Sequence, residues 1–146
     1  MIPLGAERIR NEVILIARIL LVVLFVVFGW SKLNDYTGTV ANMTRIGLPA
    51  PWGAAIVAIV VEFFLGLAIA LGLWTRPLAL LLALYTLATA LIGHHFWTME
   101  GAARYGNVIN FYKNISIIGG CLLLYVTGAG RYSVDAQVGS AKPPLH

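Results

Sequence analysis

Cysteine occurs once in the 146-residue chain, at Cys121, and only 11% of the residues are charged. A lone thiol excludes an internal disulfide, a dithiol relay and a multi-thiolate metal centre built by this chain. In an apolar stretch it reads as a small buried core residue. Histidine is almost as scarce: His94 and His95 are adjacent, and His146 lies at the end of the chain. Neighbouring side chains on a helix diverge by about 100°, so His94 and His95 are not placed to ligate one haem iron from both sides. Neither haem nor a metal is therefore expected. Acidic residues number six against ten Lys and Arg. The basic residues are scattered along the chain and form no stripe, which argues against nucleic acid as a partner.

Hydrophobic residues are abundant, at 60% of the chain. They gather in four runs, Val13 to Trp30, Gly53 to Leu73, Pro77 to Phe96 and about Asn110 to Thr127. A hydrocarbon core of ~30 Å needs roughly 20 helical residues to cross it, so each run is close to one span. The expected fold is all-α: a single transmembrane domain, an integral membrane four-helix bundle in contact with the lipid bilayer. The first run continues into Ser31 and Lys32 without a small-residue cleavage site and is read as a retained helix. It is preceded by a leader, residues 1–12, that is mixed in charge and weakly amphipathic.

The connections are short. Ser31 to Pro51 is the longest, with turns expected at Gly38, Gly47, Pro49 and Pro51. Thr75 and Arg76 form so tight a link that the second and third helices must be antiparallel neighbours. Trp97 to Val108 reads as a surface segment, and residues 136–146 as a disordered tail. Arg8, Arg10, Arg76, Arg131 and Lys142 fall on the side of the termini, with Lys32, Arg45, Arg104 and Lys113 opposite. Lys32 and Lys113 stand at helix ends and are read as pointing inward. Without them the balance places both termini in the cytoplasm.

Glu62 lies at the centre of the second run. A charged residue at bilayer depth costs about 2.5–3.5 kcal/mol on insertion scales, so it requires a partner, a proton or a ligand. Helical spacing aligns Arg18, Phe25, Gly29 and Lys32 on one stripe of the first helix, and Ala54, Ala58, Glu62, Gly66 and Ala70 on a small-residue ridge of the second. An ion pair between Glu62 and Arg18, or Lys113, is the simplest solution, although Arg18 sits only ~8 Å into its helix. At the opposite face Lys32, His94 or His95, Asn110 and Lys113 are expected to converge near one mouth. The surrounding aromatic residues are explained by an interfacial belt.

The segments Ala17-Arg18, Gly29-Trp30-Ser31-Lys32-Leu33, Gly47-Leu48-Pro49, Val61-Glu62 with Gly66, Gly72-Leu73-Trp74-Thr75-Arg76, and Asn114 through Gly119-Gly120 to Gly128-Ala129-Gly130-Arg131-Tyr132-Ser133-Val134-Asp135 occur in this order. In combination they resemble the DoxX family of small four-helix bacterial and archaeal membrane proteins. The resemblance extends from Val13 to Asp135. It implies a multi-pass protein of the cytoplasmic membrane and, because the family is named alongside the membrane subunit of thiosulfate:quinone oxidoreductases, an oxidoreductase subunit that acts with a redox partner.

On that expectation the cofactor is a quinone. Glu62 exchanges protons with Arg18 as counter-charge, and Lys32, His95, Asn110 and Lys113 hydrogen-bond the head group. A reading of a different class is a non-catalytic scaffold or assembly protein stabilised by a buried Glu62–Arg18 pair. A small transporter ranks behind both, since no broken helix or half-repeat marks a transport site. The oligomeric state is left open.

Overall fold

The computed structural model describes residues 5–140. The first four leader residues and residues 141–146 of the expected tail lie outside it. Among the described residues four helices are long and apolar enough to cross a membrane. They are α1 (Arg10–Asn34), α3 (Pro51–Leu71), α4 (Thr75–Gly93) and α5 (Gly101–Thr127). Two shorter helices, α2 (Tyr36–Arg45) and α6 (Val134–Ser140), flank them. A single 3-10 turn, Phe96–Thr98, follows α4.

Local chemistry sets the boundaries. Pro51 occupies the first turn of α3, where its missing N–H is no loss. That helix ends at Gly72, whose φ of 73° is the left-handed conformation that glycine adopts without a Cβ penalty. The first connection is not a plain loop as expected. Asp35 accepts a hydrogen bond from Gly38 N at 3.0 Å and caps α2, a short helix too polar overall to stand out among the long apolar runs. Residues 136–140 likewise belong to α6 and not to the disordered tail expected there. Ser133 starts this helix by accepting from Ala136 N at 3.1 Å.

α1 packs against α3, and α4 packs along its length against α5, while α1 and α5 touch at few points. The shared core includes Val22 and Phe25 of α1, Leu65 and Ile69 of α3, Leu82 of α4, and Cys121 and Leu124 of α5. Large side chains elsewhere, such as Leu84, Leu123 and Val126, are exposed on the outer surface, as a lipid-facing bundle requires. α1 and α3 approach very closely. A Cβ on Gly29 would stand 2.5 Å from the backbone nitrogen of Phe63 and 2.9 Å from the carbonyl carbon of Glu62.

The end of the bundle that carries both termini is tied together by Arg18. Its guanidinium is buried and donates to the carbonyls of Ala70 at 3.2 Å, Tyr132 at 2.8 Å and Ala129. These carbonyls come from the end of α3 and the segment between α5 and α6. Asp135 then reaches the α3–α4 turn: its carboxylate accepts from Trp74 N at 2.7 Å and Thr75 N at 2.9 Å, while its own N–H donates to Gly72 O at 2.9 Å. Trp74 is held at φ 47°, unusual for a residue with a side chain, and the Asp135 cap helps to offset that strain. Asn11 and Glu12 of α1 add bonds to Arg131 N and the Tyr132 hydroxyl. The expected pairing of Arg18 with Glu62 is therefore not formed.

Arg18→Met should leave carbonyls of Ala70, Ala129 and Tyr132 without donors in a dry site, at a cost on the order of 3 kcal/mol, read as a lower midpoint of thermal unfolding in detergent. Arg18→Lys should recover only part, because an ammonium cannot reproduce the planar fork. Burial disfavours the ionised form of Asp135, but its backbone hydrogen bonds and the nearby Arg18 charge outweigh this and hold its pKa below the usual carboxylate value. The stability it contributes is complete above the unfolded value of about 3.9 and is lost as pH falls through the lower folded value. Asp135→Asn should remove that acid-side loss, and an unchanged pH profile of unfolding would show that Asp135 is not its source.

Candidate functional site

Glu62 is buried where α3 departs from regular geometry. Val60–Leu65 winds as a π-helix, which places an extra residue in the turn and rotates the face that follows. Ala58, Glu62 and Gly66 of the expected ridge are buried, but Ala54 and Ala70 at its ends are only half-buried, with Ala55 and Ile69 in the interior instead, since steps of four drift by about 40° each around a helix of 3.6 residues per turn. π-turns inside helices are frequent at functional positions, and this one carries the carboxylate.

The carboxylate has two partners. Lys32 Nζ lies 2.5 Å from Oε2, and the Tyr85 hydroxyl donates to Oε1 at 2.6 Å. Charge-assisted bonds of this length are the strong class, and in hydrocarbon they are what makes the charge tolerable. Lys32 reaches inward from the last turn of α1 and passes the Phe28 ring, with Nζ 5.9 Å from its centroid. The Gly29 contact with the backbone at Glu62 and Phe63 brings Lys32, one turn further along, to the carboxylate. The Trp30 and Phe63 rings meet at a tilt of 40°, with centroids 5.4 Å apart.

Lys32 also lines a cavity of about 1050 Å³ between α1 and α5. Its polar wall is made by Lys32, His94, Asn110, Lys113 and Asn114, and its apolar wall includes Leu24, Phe28 and Ile117. Asn114 donates at 3.2 Å to Thr89 Oγ1, which ties this wall to α4. His94 is fixed by Asn107, with Nδ1 2.8 Å from Oδ1.

The structure thus brings three of the four expected head-group residues, Lys32, Asn110 and Lys113, around one space, and places the fourth, His95, elsewhere. His95 turns away after the end of α4, with Nδ1 2.6 Å from Thr98 Oγ1 and its ring edge against Trp97. His94, the residue that ends α4, takes the position in the wall, because the chain leaves helical geometry there and turns His95 away. Arg18 lies at the far end of α1, fourteen positions from Lys32 and thus ~21 Å along the helix. It cannot serve as counter-charge to Glu62. Tyr85 was not foreseen. Its only signal is a phenolic hydroxyl near the middle of a largely apolar helix, which such a setting obliges to find an acceptor.

The arrangement is a short hydrogen-bonded chain from a half-buried Tyr85 through the buried Glu62 to Lys32, which lines the cavity. Glu62 can hold or pass a proton within it, and the ammonium keeps N–H donors on the cavity side.

The profile of one family, DoxX, matches residues 13–95. Inner membrane protein YphA of Escherichia coli (strain K12) is 50% identical over 128 residues, covering 88% of this chain and 91% of that one. Inner membrane protein YqjF of the same organism is 41% identical over 129 residues, covering 88% and 94%. ER-derived vesicles protein ERV29 of Saccharomyces cerevisiae is 26% identical over 131 residues, which are 90% of this chain but 35% of the yeast protein. No solved structure matches. The four spans and the two inner membrane relatives place the protein in the cytoplasmic membrane, crossing it several times. With more than half of its length matched by the profile, and two relatives similar almost end to end, the chain belongs to the DoxX family of inner membrane proteins.

Proposed function

We propose that the protein is the quinone-interacting subunit of a membrane redox assembly, with the head group held in the cavity beside Lys32. The observation that carries this reading is the Tyr85–Glu62–Lys32 chain arriving at the wall of an amphipathic cavity. The residues fit such a ligand. Lys32, Asn110 and Lys113 offer N–H donors to carbonyl oxygens, while Leu24, Phe28 and Ile117 supply an apolar wall. A bound quinone supplies an acceptor of two electrons and two protons. The electrons must come from a donor in a partner protein.

Each residue has a separate task in this scheme. Lys32 and Lys113 orient the head group by donating to its carbonyls, and Asn110 adds a neutral donor. Glu62 works through Lys32: it fixes the ammonium in place and keeps a proton acceptor beside it. Tyr85 holds the second carboxylate oxygen, so that the carboxylate keeps one orientation. With both termini in the cytoplasm, the site opens toward the outer face of the membrane.

A scaffold role has one observation in its favour, the dense clasp around Arg18, which builds bundle stability and directs its guanidinium at backbone carbonyls. Its supposed Glu62–Arg18 pair is replaced by Glu62–Lys32. The two roles differ in what they demand of Glu62.

Quinone extracted from protein purified in mild detergent should be near stoichiometric for wild type and fall several-fold for Glu62→Gln, with Lys32→Met behaving alike. Equal, lipid-level quinone in all three would remove the head-group site and leave the scaffold. In a stability cycle of Glu62→Gln, Lys32→Met and the double variant, a coupling of about 1–3 kcal/mol is expected for a direct buried pair. Additive losses of unfolding stability would show that the contact contributes nothing to the fold.

A further inference from the structure

The cavity beside Lys32 continues beyond its polar mouth. An almost wholly aliphatic groove of about 680 Å³ lies between α1 and α5 and shares Leu24, Ser116 and Ile117 with it. Together they form one cleft that follows α5 from Lys113 to Thr127, ~21 Å at 1.5 Å per residue. The seam is open because its edges carry small residues, Ala17 on α1 and Ser116 and Gly120 on α5, and because α1 and α5 are each packed mainly on another helix. Its floor is closed: a Cβ on Gly120 would come 2.9 Å from Leu21 Cδ1. Its rim is exposed, with Leu20 at 65% and Leu123 at 69% of full accessibility, so it faces the lipid side of the bundle.

The cleft has a direction. Lys32, His94, Asn110 and Lys113 stand at one end, and aliphatic side chains line the other. Arg18 borders the aliphatic end, but its guanidinium already donates to three carbonyls and offers no second head-group site. An occupant that matches both ends is polar at one end and a long hydrocarbon at the other. The closed floor makes a shallow furrow unsuited to a helix about 10 Å across, but suited to a single chain. A phosphate head group matches the mouth less well, since one of its two lysines is already neutralised by Glu62.

We propose that this cleft holds the hydrocarbon tail of a membrane quinone and that the ligand comes in sideways from the bilayer between α1 and α5. The inference rests on the reading of the mouth as a head-group site and deepens it. It narrows the substrate class to long-tailed quinones dissolved in the membrane. The gain is one of fit and direction, since a tail leaves one apolar medium for another and the hydrophobic effect contributes little.

The test uses the full chain in lipid nanodiscs with a benzoquinone whose tail carries a photoreactive diazirine. Irradiation should label peptides containing Ala17 to Leu24 and Ser116 to Thr127, and excess unlabelled tailed quinone should reduce that labelling several-fold. Ala17 is exposed, so Ala17→Phe should fold while filling the furrow. It should cut the labelling several-fold and leave equilibrium binding of a tail-less benzoquinone unchanged. Labelling spread over outer residues such as Val60 and Leu84, and indifferent to competitor, would overturn the cleft while retained binding of the tail-less compound would leave the mouth intact. Competition by phospholipid but not by quinone would overturn the assignment of the occupant. Failure of wild type to bind the tail-less compound, together with uncompeted labelling, would overturn both readings.

Discussion

A charge carried into hydrocarbon has to bring its partner with it, and this constraint organises the bundle. α1 carries two cations on its inward stripe, Arg18 and Lys32, and each gathers a different end of the structure. Arg18 draws the end of α3 and the segment after α5 onto α1. Lys32 draws α1 onto the centre of α3, with Gly29 permitting the close approach. Because each cation has its own partners, the core between them can be wholly apolar, filled by Val22, Phe25, Leu65 and Ile69.

Much of this was legible in the sequence because membrane helices announce themselves by length and hydropathy, and because a helical stripe follows from spacing alone. Arg18, Phe25 and Gly29 do face the interior together. Glu62 stood out because a lone acid in an apolar run needs an explanation. Its partner was misread because stripe and depth are separate coordinates. Two cations on one face are equivalent by angle but lie ~21 Å apart along the axis. The Arg18 partners were invisible for another reason: they are backbone carbonyls, which every residue possesses and no motif marks. The π-turn at Val60–Leu65 left no compositional trace either, and the histidine facing the cavity depended on where α4 stops.

α2 and α6 teach a related lesson. Both lie outside the spans and are short, with no long apolar run to declare them. They are defined by side-chain capping, Asp35 for α2 and Ser133 for α6. Asp135 lies in the first turn of α6 while capping α4. The conspicuous glycine- and arginine-rich segments that suggested kinship, Gly72 to Arg76 and Gly128 to Asp135, thereby meet in space at the Arg18 end. The most recognisable part of the sequence is thus tied to holding the helices in register, while the cavity lies at the other end.

The choice of cation at each end suits these different demands. A guanidinium has five N–H donors in a rigid plane, and Arg18 directs them at three carbonyls, which closes its end of the bundle. An ammonium is a point charge with three rotatable donors. Glu62 takes one from Lys32, so the others remain for whatever occupies the cavity. Neutralising Lys32 also means that a neutral ligand can approach without meeting an unpaired buried charge, which would be costly in so apolar a setting. An arginine at position 32 would bind the carboxylate as a fork and spend more of its donors there. A lysine keeps the pair short and leaves its outer side open, which is the condition that the proposed head-group site imposes.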